Sequence, residues 1–486
     1  MSATASVTLP VGYYKNSVQQ ELFTKAYQYW LDLSKNISKQ LPGANLAFFA
    51  KLRERGYEAF AKLGLPTRRD DDWKYTQLDT IAANNFSLLG LSALAPVYND
   101  VNSEVPCSRL VLDTAAVSNT HLVFSRGHCL KAISAIGDLP ASVTVTNLRA
   151  ILQTAPDLVA TILGKAADIN DHGFAALNAA LCCDGYVIHV KRGVQLDYPI
   201  FITLINSSAK IAGHKNTASV INQEDDIAAT FMRNLVIVEE GAKVQIIEQY
   251  LSDDNAISFM NAVTEMRVGS GAQVAHYKLA EEANSTMHFS SLNVLVERDA
   301  SFQSNLIANG SALARLETRV KLKEPGANCN LNGLYLPQDK QHIDCFTSII
   351  HESPFTTSNE LYKGIIADSG RGVWTGRVLV VPDAQKISAM QTNRNLLLST
   401  QAHVDTRPQL EIYADDVKCS HGATVGRLDN EALFYLRSRG IDYDSARSML
   451  VFAFIREVIT VMSESPLIAE LENSLTAGGF VNRKGH

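Results

Sequence analysis

Two residues near the C-terminus have the types and spacing that could do chemistry. They are Cys419 and His421, in Lys418-Cys419-Ser420-His421-Gly422. On a strand, residues two apart point to the same side. A thiolate beside an imidazole could hold iron or zinc, or receive sulfur. The imidazole would also lower the thiol's pKa and make it a better nucleophile. Two ligands do not close a tetrahedral site, so the others must come from elsewhere, another subunit included. Spacing alone leaves a plainer alternative open: a buried Cys and a hydrogen-bonded structural His.

Other candidates read as structure. His403-x-Asp405 repeats the geometry and suits a structural pair at a strand edge. Cys182 and Cys183 would face opposite sides of a strand, and Cys329 and Cys345 suit small apolar fillers. Several catalytic signatures are missing. There is no Gly-x-x-x-x-Gly-Lys-[Ser/Thr] loop. His351-Glu352 has Phe355 where a helical zinc motif needs its second His. No Gly-x-Ser-x-Gly elbow occurs. A sugar hydrolase needs paired carboxylates in one cleft, whereas adjacent Asp415 and Asp416 would diverge on a strand.

The elements that must position Cys419 and His421 are strands. From about Asn234 to Gly426, short apolar runs recur, each followed by a turn-like step and an alanine: Ala242, Ala272, Ala300, Ala327, Ala384 and Ala402. The first three spacings cluster near thirty residues, and the gap from Ala327 to Ala384 is close to two periods. Such a period built from β-rich pieces predicts a solenoid, because one unit cannot hide both its faces and must stack on the next.

Around this core the pattern is helical. Residues 1–80 predict an N-terminal helical domain, with helices near 17–40 and 46–63 and a Gly64 stop. Within 64–76, the acidic run Asp70-Asp71-Asp72 reads as a solvated turn anchored by Trp73. Residues 81–180 read as a mixed α/β lead-in. The β-helix core is placed at 181–426, with a polar excursion at 207–232. Residues 427–486 form a C-terminal helical domain. Asp429 and Asp442 or Asp444 are its expected caps, and the polar end from Gly478 is expected to fray. The last helix carries Leu450, Phe452, Phe454, Ile455, Val458, Ile459 and Met462 on most of its sides. It must be buried, either in its own domain or against another protein.

Bulk properties narrow the class. The chain has 486 residues, 46% hydrophobic and 19% charged, with a net charge of −6. That is ordinary for a soluble globular protein, and no basic block suggests nucleic acid or an anionic membrane as partner. Met1 to Asn16 lacks the pattern of a secretion signal. The apolar run Met449 to Ile455 falls far short of the ~20 residues of a membrane span. Seven cysteines without a Cys-x-x-Cys fit a reducing compartment, so the cytoplasm is the expected location.

The string Pro408 to Gly426, ending in Lys418-Cys419-Ser420-His421-Gly422-Ala423-Thr424-Val425-Gly426, resembles the SufB/SufD family of iron–sulfur cluster assembly proteins. Glu431 to Ile441, Gly64 to Thr76, Phe174 to Asn178 and Asn234 to Ala242 are similar to the same family. Within it, the SufD branch fits best. The resemblance implies a right-handed parallel β-helix between helical domains. It also implies a non-catalytic scaffold in a SufBCD complex, paired with a SufB-like paralogue through the β-helix and docked to a SufC-like ATPase through the C-terminal helices. His421, with Cys419 beside it, would then contribute to a nascent iron–sulfur cluster shared with the paralogue. Glu431, Leu433, Phe434, Tyr435, Arg437, Arg439, Phe452 and Phe454 would bind the ATPase. Reduced flavin (FADH2) in the complex and self-pairing of the isolated chain are further implications. Two competing readings remain: a carbohydrate-acting β-helix enzyme, and a pure adaptor without metal chemistry.

Overall fold

The computed structural model of the chain describes residues 17–89, 120–206, 227–252 and 257–462. Two long sheets, of ten and eleven strands, face one another, and the chain winds between them as a parallel β-solenoid. The first turn runs through β6 (Tyr186–Val190) and β7 (Ile200–Asn206), preceded by five strands described below. The regular turns then pair β8 (Ile227–Val238) with β9 (Lys243–Ser252), β10 (Ser258–Val268) with β11 (Gln273–Ala280), and β12 (Thr286–Val296) with β13 (Ser301–Ala308). They continue through β14 (Leu313–Leu322) and β15 (Asn328–Tyr335), β16 (His342–His351) and β17 (Thr357–Ile366), and β18 (Arg371–Val380) and β19 (Ile387–Leu397). The last turn is β20 (His403–Ile412) and β21 (Val417–Arg427). Even-numbered strands from β6 onward stack in one sheet and odd-numbered strands from β7 onward in the other.

Stacking follows from the alternation along each strand. Inward side chains such as Val236, Val268, Val296, Leu322 and Val380 fill a narrow lumen. The recurring alanines mark one corner. Ala242, Ala272, Ala300, Ala327 and Ala384 are all buried there, between an even strand and the next odd one. In four turns the residue just before the buried one is left-handed: Gly241, Gly271, Asp299 and Gly326. The long gap between Ala327 and Ala384 hides one complete turn of the solenoid. At its corner Phe355 takes φ 61 and Thr356 is the buried residue. Ala402, expected in this series, lies instead at the opposite corner between β19 and β20. The corresponding corner of the last turn holds Ala414.

The lead-in is part of the solenoid's start. β5 (Val143–Asn147) runs antiparallel to β6, and β2 (Thr120–Ser125) runs parallel to β7 and antiparallel to β3 (His128–Cys129) and β4 (Ala135–Ile136). β1 (Phe86–Leu88) adds to the edge of β8. Leu122, Phe124, Val143 and Val145 fill the lumen at this end. Of the expected excursion, 227–232 belongs to β8, and 207–226 lies outside the described residues.

Helices cover the outer faces. α1 (Ser17–Ile37), α2 (Ala47–Leu63), α3 (Asp79–Ala82), α4 (Leu148–Thr154), α5 (Pro156–Ala160) and α6 (Gly173–Leu181) gather on the even sheet. Trp30 packs there against Phe86, Phe231 and Phe259. Glu265 fixes the attachment. Its carboxylate accepts the backbone N–H groups of Gly164, Lys165, Ala166 and Ala167 at 2.7–3.1 Å, and the guanidinium of Arg233 at 2.6 Å. The acidic segment is the expected solvated turn anchored by Trp73, with Asp70 and Asp71 exposed, and it also reaches the even sheet. Trp73 is buried under the Arg315 guanidinium at 4.6 Å, and Asp72 and Asp71 pair with Arg319 and Arg407 of the even sheet.

α7 (Asn430–Ser438) and α8 (Tyr443–Val461) follow the last turn. Asp429 caps α7 through the N–H groups of Glu431 and Ala432, and Asp442 caps α8 through that of Ser445. The C-terminal half of α8 folds back on the odd sheet. There Val451, Ile455, Val458 and Ile459 pack among Ile247, Tyr277, Ile307 and Leu334. The chain's own sheet therefore supplies much of the burial that this helix requires. The polar end from Gly478, expected to fray, lies outside the described residues, as does Cys107.

Candidate functional site

The two ends of the solenoid differ. The first end carries β5, β2 and the helices. At the last end nothing among the described residues pairs with the outer edges of β20 and β21. Both strands therefore leave a row of backbone N–H and C=O groups unpaired by any neighbouring strand.

Cys419 and His421 stand on this last turn. Register places Cys419 over Ala389 and His421 over Gln391, so both belong to the inward-facing row. No turn lies above them, and the row opens outward. His421 is exposed, and Cys419 is half-buried against the lumen core. Burial pushes the Cys419 thiol up, against a smaller opposite pull from the Ala389 backbone. The expected lowering of this thiol by its neighbour is absent, since His421 lies in solvent and does not offset the burial. Cys419 is a thiol until something displaces its proton. No group of three or more His, Cys, Asp or Glu side chains among the described residues could close a metal site. The two residues can offer one sulfur and one nitrogen to a metal whose other ligands come from outside the described chain.

Below this pair the lumen is polar. Glu360 lies under Gln391, which lies under His421. Asn393 and Asn395 share the inward row with Gln391, and Asn395 bonds to Asn393 at 2.7 Å. Farther in, a charged group is buried. Lys278 approaches Glu248 at 3.5 Å and donates to Ser290, and His276 bonds to Ser304 at 3.0 Å. Burial raises the Glu248 carboxyl, but Lys278, His276 and the Tyr186 hydroxyl outweigh it and hold the group down at about 2. None of these inward polar residues was a candidate in the sequence. The available signal was a polar side chain at inward parity within an apolar run, as in Ser358-x-Glu360-x-Tyr362.

The other candidates are divided. On α7, Glu431, Phe434, Tyr435 and Arg437 are exposed, with Arg439 just beyond, and Leu433 is half-buried. Phe434 keeps 75% of its surface in solvent. The Arg439 guanidinium lies over the Tyr435 ring at 5.2 Å, and that of Arg437 lies over Tyr443. Phe452 and Phe454 instead pack partly inside the α8 cluster, where the Lys363 ammonium sits 4.8 Å over the Phe454 ring. His403 pairs with Asp405 at 3.2 Å, and Asp405 also binds Arg371, which is the expected structural pair. Asp415 and Asp416 are exposed in the last corner, where Asp416 pairs with Lys386.

Comparisons with known proteins agree along the chain. The SUF system FeS cluster assembly SufBD core domain matches residues 219–454, and the SufBD protein N-terminal region matches residues 24–202. The iron–sulfur cluster assembly protein SufD of Escherichia coli is 33% identical over 84% of this chain and 87% of its own length. The SufBD family protein slr0076 of Synechocystis is 29% identical over 86% of this chain and 88% of its own. The chloroplastic protein ABCI7 of Arabidopsis thaliana is 28% identical over 88% and 84%.

Proposed function

Because the chain belongs to the SufBD family of the SUF iron–sulfur cluster assembly system, we propose that it acts there as a SufD-like scaffold subunit. In this reading the bare edges of β20 and β21 receive the solenoid of a SufB-like paralogue, and the exposed face of α7 and the start of α8 docks a SufC-like ATPase. Turnover of ATP belongs to that partner. Two open parallel edges favour a strand-to-strand seam, and the aromatic and arginine side chains Phe434, Tyr435, Arg437 and Arg439 have the composition of an interface.

The nascent cluster is the cargo at the seam. His421 offers it an imidazole nitrogen, and Cys419 offers a thiol whose proton must leave before sulfur binds iron. The observation that carries this reading is the position of His421, which is exposed, at inward parity, on the uncapped turn and beside an unpaired edge. We assign no residue of this chain to the reduced flavin. No described helix is long and apolar enough to cross a membrane, and we propose that the complex works in the cytoplasm or an equivalent reducing compartment.

The test is a purified heterocomplex carrying His421→Ala. It should assemble with unchanged stoichiometry and fail to mature cluster proteins in cells. Normal maturation would remove His421 from the mechanism and leave the pure adaptor reading, which also predicts a silent Cys419→Ala.

A further inference from the structure

Glu360 is unlike every other deeply buried carboxylate described in this chain. Asp184 approaches Arg149, Glu248 Lys278, Glu265 Arg233, Glu317 Arg315 and Asp344 Arg315, and Glu282 pairs with the His288 imidazole. Glu360 is fully buried and has no cationic partner. One carboxyl oxygen accepts from the Thr347 hydroxyl at 2.8 Å, and the other has no hydrogen-bond partner. The titratable groups around it are the Cys329 thiol and the Tyr362 phenol, with the Cys345 thiol beside Tyr362. Burial raises all three, so none supplies a charge. Burial likewise pushes the Glu360 carboxyl up to about 8, against the Thr347 hydroxyl and the neighbouring Gln391 amide.

More unpartnered atoms gather around it. Gln391, one strand nearer the open end, lies close enough to Glu360 to draw its carboxyl down, yet neither of its amide atoms reaches a partner in good hydrogen-bond geometry. The Trp374 indole N–H and the Thr406 hydroxyl, which stand in register on the facing sheet, also lack a hydrogen bond. Gly376 brings two of these groups together. A Cβ there would meet the Trp374 ring at 2.4 Å and the Gln391 amide nitrogen at 3.0 Å. The set mixes unmet donors with unmet acceptors. A cation could satisfy only the acceptors, whereas water satisfies both.

We infer that the last turns of the lumen hold ordered water joining Glu360, Gln391, Trp374 and Thr406, with Glu360 as the protonable end of a chain that leads toward the His421 face. Protons exchange along it between bulk water and the carboxyl. The Glu360 O–H bond breaks, its electron pair stays on the carboxylate, and the proton passes to the adjacent water. The reverse transfer restores the acid. If a partner solenoid covers β20 and β21 as proposed above, this water is sealed on the chain's side of the seam. It then keeps a proton beside the cargo site.

Infrared spectroscopy of the full chain at pH 7, labelled with carbon-13 glutamate, tests the inference. A protonated glutamic acid carbonyl band is expected, absent in Glu360→Gln, that shifts on mixing with D2O within seconds. Replacing Gln391 with Leu and Thr406 with Val should slow that shift at least about tenfold, toward the exchange of the surrounding core amides. A missing band in the wild type overturns the inference. So does a band that exchanges no faster in the wild type than in the double variant. The labelled wild type still reports the band should Glu360→Gln fail to fold. None of these readings involves a cluster or a partner, so their failure is separable from that of the His421→Ala test.

Discussion

The two ends of the solenoid meet the same problem in opposite ways. At the first end, antiparallel β5 and the β2–β4 group continue the sheets, and six helices cover the even face. Buried charges there are paired, as in Glu265 with Arg233. At the last end both edges stay open, and Glu360 beneath them is buried without a cation. The inferred water meets a carboxyl, an amide, an indole and a hydroxyl that no protein group matches within the last turns, where leaving each bare would cost about 1–3 kcal/mol. The difference teaches that one end is closed by the chain's own strands and helices, while the other presents two unpaired strand edges.

The strongest way to break this comparison is at Glu265. Glu265→Ala would orphan Arg233 and four consecutive backbone N–H groups at once. The expected loss is about 5 kcal/mol or more, comparable to the whole stability of many domains. Denaturant unfolding measures it. A loss under about 1 kcal/mol would show that the helical cap is not held through this carboxylate.

The contrast was only partly legible in the sequence. The solenoid could be read because its buried alanines recur and its inward rows alternate. One turn was hidden because Phe355 takes the left-handed corner that Gly241, Gly271 and Gly326 take elsewhere, and Thr356 replaces the alanine. Cys419 and His421 could be found because they stand two apart in a string of high specificity. Their exposure could not, since parity says which way a side chain points and not whether a further turn lies above it. The solvated turn anchored by buried Trp73 could be read as well, but its long-range ion pairs could not. Their cationic partners, Arg319 and Arg407, arrive from the distant sheet.

A second prediction sharpens the contrast by pH. The Glu360 carboxyl is about 8 in the folded chain, above its ordinary carboxylate value. The folded chain therefore binds more protons than the unfolded chain between about pH 4.5 and 8, and stability falls as pH rises through that window. Glu360→Gln removes this fall. The variant should match the wild type near pH 4.5 and exceed it by about 2–4 kcal/mol at pH 8 and above. Glu248, held at about 2, contributes with the opposite sign. Its stabilisation is present above the ordinary carboxylate range and is lost as pH falls toward 2. Unfolding of the Glu360→Gln and wild-type chains across pH 4.5–9 reads the difference. Parallel curves would place an unseen cation beside Glu360.

The smallest expected effect on stability marks the open end most directly. Val425 points along the inward row of β21, yet 49% of its surface is in solvent because no turn covers it. A lysine there loses little burial, and Val425→Lys should change the stability of the isolated chain by no more than about 0.5 kcal/mol. The same change at Val145, on the inward row of β5, puts an unpaired ammonium into a filled lumen and should prevent folding. A charge on a strand edge is also how open sheets resist pairing. Val425→Lys should therefore abolish co-purification with the SufB-like paralogue while the chain stays folded. Retained pairing would move the seam away from β20 and β21, and with it the reason for an exposed His421 at the last turn.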